Sequence, residues 1–173
     1  MDRPMYAIRK ERPDDEVAIA TLTTDAFAEH PHSQQQEASI IGELRRRGEL
    51  TLSLVACDGA VLVGHIAFSP VTLDDGTPHW YGLGPLAVAP VQQHRGIGSA
   101  LVEAGLGYLR QAGAVGCVVL GDPGFYQRLG FFPSPRLVLA DVPAQYFLVR
   151  PLQEDRLPPR TTRVHYSPVF YAL

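Results

Sequence analysis

Lysine is nearly missing from this chain, with Lys10 standing alone among 15 basic residues. Those 15 face 18 acidic residues, for a formal net charge of -3, which excludes a nucleic-acid binder relying on a broad basic field. Cysteine is also scarce. Cys57 and Cys117 sit in apolar stretches and lack CxxC spacing, so both read as buried, reduced thiols rather than zinc ligands or a redox pair. The beginning of the chain holds no apolar run of signal-peptide length. The uncharged stretch Gly82 to Val91 falls far short of the roughly 20 residues that cross a bilayer. A cytoplasmic protein without membrane contact is expected.

What is present describes one globular domain over 1–173, with 46% hydrophobic and 19% charged residues. At this length roughly 70% of the unfolded chain's surface is buried on folding, so the core needs neither disulfides nor a structural metal.

Hydrophobic periodicity places a strand near Tyr6 to Arg9 and a helix over Asp14 to Phe27, with Pro13 before it and acids in its first turn. Ser33 with Gln36 three residues on has the pattern of a capping box, followed by helical spacing through Ile40, Ile41 and Leu44 until Gly48. Thr51 to Cys57 and Val61 to Ser69 are rich in β-formers and flank Asp58-Gly59, which predicts an antiparallel hairpin. After the turn Asp74 to Pro78, His79 to Val88 resumes as a strand. Gly82, Gly84 and Pro85 interrupt it, as in a bulged or splayed strand end. A helix from Gly96 to Gly113 and a buried strand over Val115 to Leu120 then predict a parallel pairing through a crossover. Phe125 to Leu129 leaves room for a short helix, Arg136 to Leu139 and Tyr146 to Leu152 for two strands, and Val164 to Tyr171 for an edge strand.

The chemistry concentrates where Leu86-Ala87-Val88 feeds the loop that opens the helix at Gly96. Main-chain N–H groups at a helix start are unpaired and carry the positive end of the macrodipole, and glycines let an anion approach them. A diphosphate suits such a junction. One reading is a dinucleotide site, because Gly96-Ile97-Gly98 opens like GxGxxG with Asp122 further on. It fails in detail: Leu101 takes the third glycine position, and seven residues separate Val88 from Gly96.

The other reading rests on Gln93-His94-Arg95-Gly96-Ile97-Gly98, which resembles the acyl-CoA signature Q/R-x-x-G-x-G/A of the GNAT superfamily of N-acetyltransferases. Leu86-Ala87-Val88 looks like that family's strand beside the pantetheine arm. Tyr126-Gln127-Arg128-Leu129-Gly130-Phe131 resembles its later Y-x-x-x-G-F element. The likeness covers a core of about 6–152, leaving 153–173 as a C-terminal extension, and is nearest to bacterial YhbS-like predicted acetyltransferases.

The resemblance implies an α/β fold: a mixed, mainly antiparallel sheet of six or seven strands flanked by helices and open where CoA enters. It implies acetyl transfer from acetyl-CoA to an amine, with a primary amine of a small molecule as the expected acceptor and no metal. Main-chain N–H groups of His94, Arg95, Gly96, Ile97, Gly98 and Ser99 would cradle the CoA pyrophosphate, with Gln93 opening the motif. The backbone of Leu86, Ala87 and Val88 would pair with pantetheine, although Pro85 has no N–H to give. Tyr126 would protonate the departing thiolate. Val119 stands where many relatives carry Asn, and Gly121-Asp122-Pro123-Gly124 replaces the usual helix start, where Asp122 has the chemistry of a cap. Late strands suggest a homodimer contact over Val164 to Tyr171.

No acidic residue lies between Thr77 and Gln92 to serve as general base. His79, Tyr81 and His65 on strands, and Glu29, His30 and His32 after the first helix, are the substitutes. Arg95 and Arg128 are the cations best placed for a CoA phosphate, whereas Arg45-Arg46-Arg47 point in different directions on a helix and read as a solvated face. Two alternatives stay open: a catalytically silent acyl-CoA-binding module, and an acetyltransferase acting on a peptide or protein amine.

Overall fold

The Asp58-Gly59 turn does what its chemistry predicts: Gly59 takes a positive φ of 60° and joins β2 (Leu52–Asp58) to β3 (Val61–Leu73) as an antiparallel hairpin. The computed structural model describes residues 6–154 and 156–171. Around the hairpin the chain builds one sheet in the order β1-β2-β3-β4-β5-β7, where β1 is Ala7–Lys10, β4 Trp80–Val88, β5 Gly116–Leu120 and β7 Phe147–Pro151. The β4 and β5 strands run parallel through the crossover helix α3 (Ile97–Gln111); the other pairs along this path are antiparallel. Two further strands, β6 (Leu137–Val138) and β8 (Thr162–His165), bring the described total to eight rather than six or seven.

Both faces of the sheet are covered, so its central strands are apolar runs rather than alternating ones. On one face, Ile97, Leu101 and Leu106 of α3 pack on Leu54, Ile66, Phe68 and Leu83. Gly105 of α3 lies against the Phe68 ring with no room for a Cβ, which fixes how closely the helix sits on the sheet. On the other face, Ile19 of α1 (Glu16–Phe27) and Ile41 of α2 (Glu37–Arg46) cover Val55, Cys57 and Ala67. Beside them Trp80, Val118, Phe147 and Val149 are covered by Leu137 of β6 and Val164 of β8. Each valine, leucine, isoleucine or phenylalanine among them contributes roughly 1.5–3 kcal/mol when fully buried. Among the described residues no helix is long and apolar enough to cross a membrane.

Several boundaries differ from the sequence reading. The capping box at Ser33 and Gln36 does not form. Helix α2 starts at Glu37, and Ser33 Oγ instead accepts from the Gln35 N–H at 2.9 Å and hydrogen bonds the Glu37 carboxylate. Residues Pro13–Asp15 form a 3-10 turn ahead of α1. The edge strand expected over Val164 to Tyr171 is neither at an edge nor that long: β8 lies between the end of β3 and β6, with Val164 and Val169 in the interior. In the segment expected to make a dimer contact, Val164 and Val169 are buried in the fold while Tyr171 is exposed. Arg45 is likewise not part of a solvated face, because it meets Glu11 at 2.6 Å.

Candidate active site

Strand β4 changes partners halfway. Its first half pairs with β5 from Trp80↔Gly116 to Leu83↔Val119, and there the β5 pairing ends. On the β3 side, Phe68 faces Leu83 while Ile66 faces Leu86, so β4 carries one extra residue around the cis Gly84-Pro85 bond. Beyond this bulge β4 continues beside β3 alone, and β5 remains paired with β7 on its far side. The Ala89 N–H bonds Val63 O at 2.9 Å. By the two-residue period of a strand, the N–H groups of Leu86 and Val88 therefore point to the vacated edge. That is the splayed strand end the interrupting glycines predicted.

The loop after β4 supplies a second set of donors. A 3-10 turn at Pro90–Gln92 leads to His94 with φ 66° and Gly96 with φ 84°, and Gly96 is the N-cap of α3. The first helical bond of α3 is Ala100 N–H to Gly96 O at 3.0 Å. The main-chain N–H groups of His94, Arg95, Gly96, Ile97, Gly98 and Ser99 bond no acceptor among the described residues. Six successive unpaired donors, at the positive end of a 15-residue helix, make a cradle with the chemistry to take an anion. A Cβ at Gly96 would meet nothing within 4 Å, so the cradle is open to a ligand there; the φ is what requires glycine. A Cβ at Gly98 would sit 3.6–3.8 Å from Phe125, Val88 and Leu86, which form the floor. Side chains tie the loop down: Gln93 Nε2 donates to Val88 O at 3.1 Å, and Arg95 leans on Gln92 at 3.4 Å.

Across the vacated edge stands α4 (Pro123–Gln127), with Asp122 as its cap, accepting from the Gly124 N–H at 3.1 Å. Asp122 is thus committed to the helix. Tyr126 is buried, edge-on to Phe125 and Phe131 at centroid distances of 4.8 and 5.6 Å, and its hydroxyl bonds no described residue. Burial, with smaller contributions from Cys117 and Asp122, pushes its phenol well above the ordinary value of 10.0, so it holds its proton. The departure at 121–124 has a steric reason. A Cβ at Gly121 would stand 2.6 Å from Tyr126 Cε2, so only glycine lets the ring take this position. Arg128 donates to Gly124 O at 3.1 Å and stays at the surface.

Of the candidate bases, His79 is exposed at a positive φ before β4 begins, Tyr81 packs on the core, and Glu29, His30 and His32 lie on the exposed α1–α2 connection. His65 is different. It is fully buried on β3, cross-strand from Ala87, and its Nε2 lies 2.7 Å from Ser53 Oγ, which donates to Glu11 Oε1 at 2.9 Å. Arg45 closes on Glu11 with bonds of 2.6 and 3.1 Å. Burial pushes the His65 imidazole down to about 4. Burial alone would raise Glu11, but hydrogen bonds from Arg45 and Ser53 and the Arg45 charge leave it below its ordinary 4.5. Ser53 and Glu11 went unrecognised in the sequence because nothing local marks them: they join residues 12, 34 and 42 positions apart.

The profile of the Acetyltransferase (GNAT) family matches residues 16–131, which includes the β4 bulge, the cradle and Tyr126. The uncharacterized N-acetyltransferase YhbS of Escherichia coli K12 is 38% identical over 117 residues, 67% of this chain and 70% of that protein. Among solved structures, a GNAT family acetyltransferase from Brucella melitensis in complex with acetyl-CoA superposes with a TM-score of 0.83 at 42% identity, covering 95% of this chain and 97% of that one. Escherichia coli YhbS in complex with CoA superposes at 0.88 with 34% identity, covering 99% and 95%. The vacated strand edge and its helix-start cradle thus belong to a member of the GNAT family of N-acetyltransferases.

Proposed function

We propose that this chain transfers an acetyl group from acetyl-CoA to a primary amine of a small molecule by direct attack within a ternary complex, in the cytoplasm. The observation that carries the reading is the unbroken row of unpaired N–H groups from His94 to Ser99, set beside the free edge of β4. A pyrophosphate satisfies that row, and pantetheine amides meet the outward N–H groups of Leu86 and Val88 as a neighbouring strand would. The complexes of the two similar structures with acetyl-CoA and CoA support the same ligand here. The amine nitrogen attacks the thioester carbon, and the carbon–sulfur bond breaks. Tyr126, kept protonated by burial, gives its proton to the leaving sulfur.

Calorimetric titration with acetyl-CoA, CoA and NAD in parallel tests the cofactor site, followed by a panel of small primary amines monitored for thiol release. Micromolar binding of both CoA species without NAD binding, and consumption of acetyl-CoA by at least one amine, are expected. Absence of CoA binding removes the reading. CoA binding without turnover on any amine reduces the chain to an acyl-CoA-binding module.

A further inference from the structure

A ligand anchored at the cradle and paired along the free edge of β4 runs from Val88 back past Leu86, so its far end comes to rest where that edge closes, at Leu83 and Gly84. Two tyrosines stand at the closed end, one on each side of the sheet, and each is seated over a glycine. On the α3 side Tyr126 lies over Gly121. On the opposite side Tyr166, just after β8, lies over Gly82 of β4: a Cβ there would stand 2.5 Å from Tyr166 Cε1 and 3.2 Å from Cδ1. Gly82 faces Val118 in the last pair but one between β4 and β5. The ring is also packed edge-on against Phe170, with centroids 5.3 Å apart. Its hydroxyl is enclosed and bonds no described residue. Burial pushes the phenol above its ordinary value, with smaller contributions from Cys117, Tyr171 and Tyr126, so the two phenols lie within electrostatic reach of each other. An unpaired hydroxyl gives the ring no polar reason for its place, which leaves its bulk.

Two residues beyond Gly82 the surroundings change. By the period of a strand Gly84 shares a side with Gly82, and a Cβ on Gly84 would meet nothing within 4 Å. At the closed end of the edge there is therefore open space into which β4 puts no side chain, and the half-buried Tyr166 stands next along the strand. We propose that the Tyr166 ring is the stop that limits the transferred acyl group to acetyl: the space at Gly84 takes the methyl, and the ring stands where a longer chain would continue. This rests on the acetyltransferase reading above. Gly82 behind the ring and Phe170 beside it leave it little room to yield. Tyr166 also lies past the stretch 16–131 that the family profile matches, so the restriction comes from the C-terminal extension and not from the shared cofactor machinery.

The test compares acetyl-CoA, propionyl-CoA and butyryl-CoA with the best amine of the panel above. One methylene pressed against a wall changes kcat/KM by roughly 10–200-fold, so in the parent kcat/KM should fall at least about 10-fold from acetyl-CoA to butyryl-CoA. Tyr166→Phe removes the unpaired hydroxyl and keeps the ring, and the discrimination should persist. Tyr166→Leu and Tyr166→Ala open the space, and butyryl-CoA should come within about threefold of acetyl-CoA. Calorimetric titration with CoA, which carries no acyl group to meet the ring, shows whether each variant keeps its cofactor site. A parent that uses butyryl-CoA as well as acetyl-CoA overturns the stop. So does discrimination at the parent's level in a Leu or Ala variant that still binds CoA, and loss of CoA binding in both makes Tyr166 a core residue instead. If CoA does not bind the parent, the acetyltransferase reading itself has failed. If acetyl-CoA reacts and butyryl-CoA reacts equally, only the stop is lost.

Discussion

Replacing Gly96 separates what the cradle owes to backbone geometry from what it owes to charge. The residue has φ 84°, and a Cβ on it would touch nothing. Gly96→Ala therefore adds only left-handed backbone strain, roughly 1–2 kcal/mol. At 2–4 °C per kcal/mol for a domain of about this size, Tm should fall by about 2–8 °C. CoA affinity should change less than about tenfold, because the N–H groups still converge on open space. Gly96→Asp has the opposite profile. Aspartate tolerates the left-handed region better than alanine, and an acidic group at a helix start is worth about 0.3–1 kcal/mol, so stability should stay close to that of the parent. The same carboxylate stands where a pyrophosphate would bind. Placed about 5 Å from one phosphate charge at an effective dielectric of about 20, it costs about 3 kcal/mol, or roughly two orders of magnitude in Kd. Thermal melts and calorimetric titration with CoA on the two variants decide the matter. CoA binding by Gly96→Asp at the parent's affinity would refute the assignment of this loop as the anion site.

Three further outcomes are expected. Tyr126→Phe should leave CoA affinity intact and lower kcat, most at low pH and less above the thiol's own pKa, where sulfur departs without help; a kcat unchanged across pH makes Tyr126 a packing residue. Gly121→Ala forces the Tyr126 ring from its seat 2.6 Å from the new methyl. It should cost about 1–3 kcal/mol in denaturant melts and lower kcat along with stability; a fully stable variant would mean the ring has another place to go. Asp15, bonded by Arg9 at 2.6 and 3.0 Å and by the Arg12 N–H, is held at about 2, against an ordinary 3.8. A carboxyl with a lowered folded pKa gives stability that is complete above its unfolded value and lost as the pH falls through its folded one. Arg9→Ala should therefore flatten the acid dependence of stability between about pH 4 and pH 2, read from melts across that range.

Local chemistry made most of the strands, the crossover helix and the glycine loop that opens it legible. Asp58-Gly59 specifies its own turn, and the change from strand to helical period at Gly96 marks the start of α3 whatever surrounds it. The α2 start departs from its sequence pattern for an equally local reason: Ser33 has a nearer use, holding the turn at Gln35, where φ is 63°. Elements with few residues of their own were harder. The β6 pairing comprises two residues and exists because β8 returns alongside it, a contact set by tertiary packing rather than by propensity. In the site, the donors could be placed because they are backbone groups whose direction follows from the fold of the loop. The His65 network could not, since Ser53 and Glu11 are ordinary residues in sequence and acquire their roles by lying side by side on β2 and just after β1.

One extra residue in β4 ties these parts together. Leu83 packs on the α3 side of the sheet, and strict alternation would put Pro85 and Ala87 there as well. With the additional residue, Leu86 and Val88 take that side instead, where they form the floor under Gly98, and Ala87 turns to the other side beside His65. A one-residue slip would exchange the two sets, leaving the cradle floored by a methyl group and His65 crowded by a leucine or valine. The same residue ends the match between β4 and β5, which frees the Leu86 and Val88 N–H groups. Bulge, vacated edge, floor and histidine neighbour are therefore consequences of a single register change, and each depends on the others being in place.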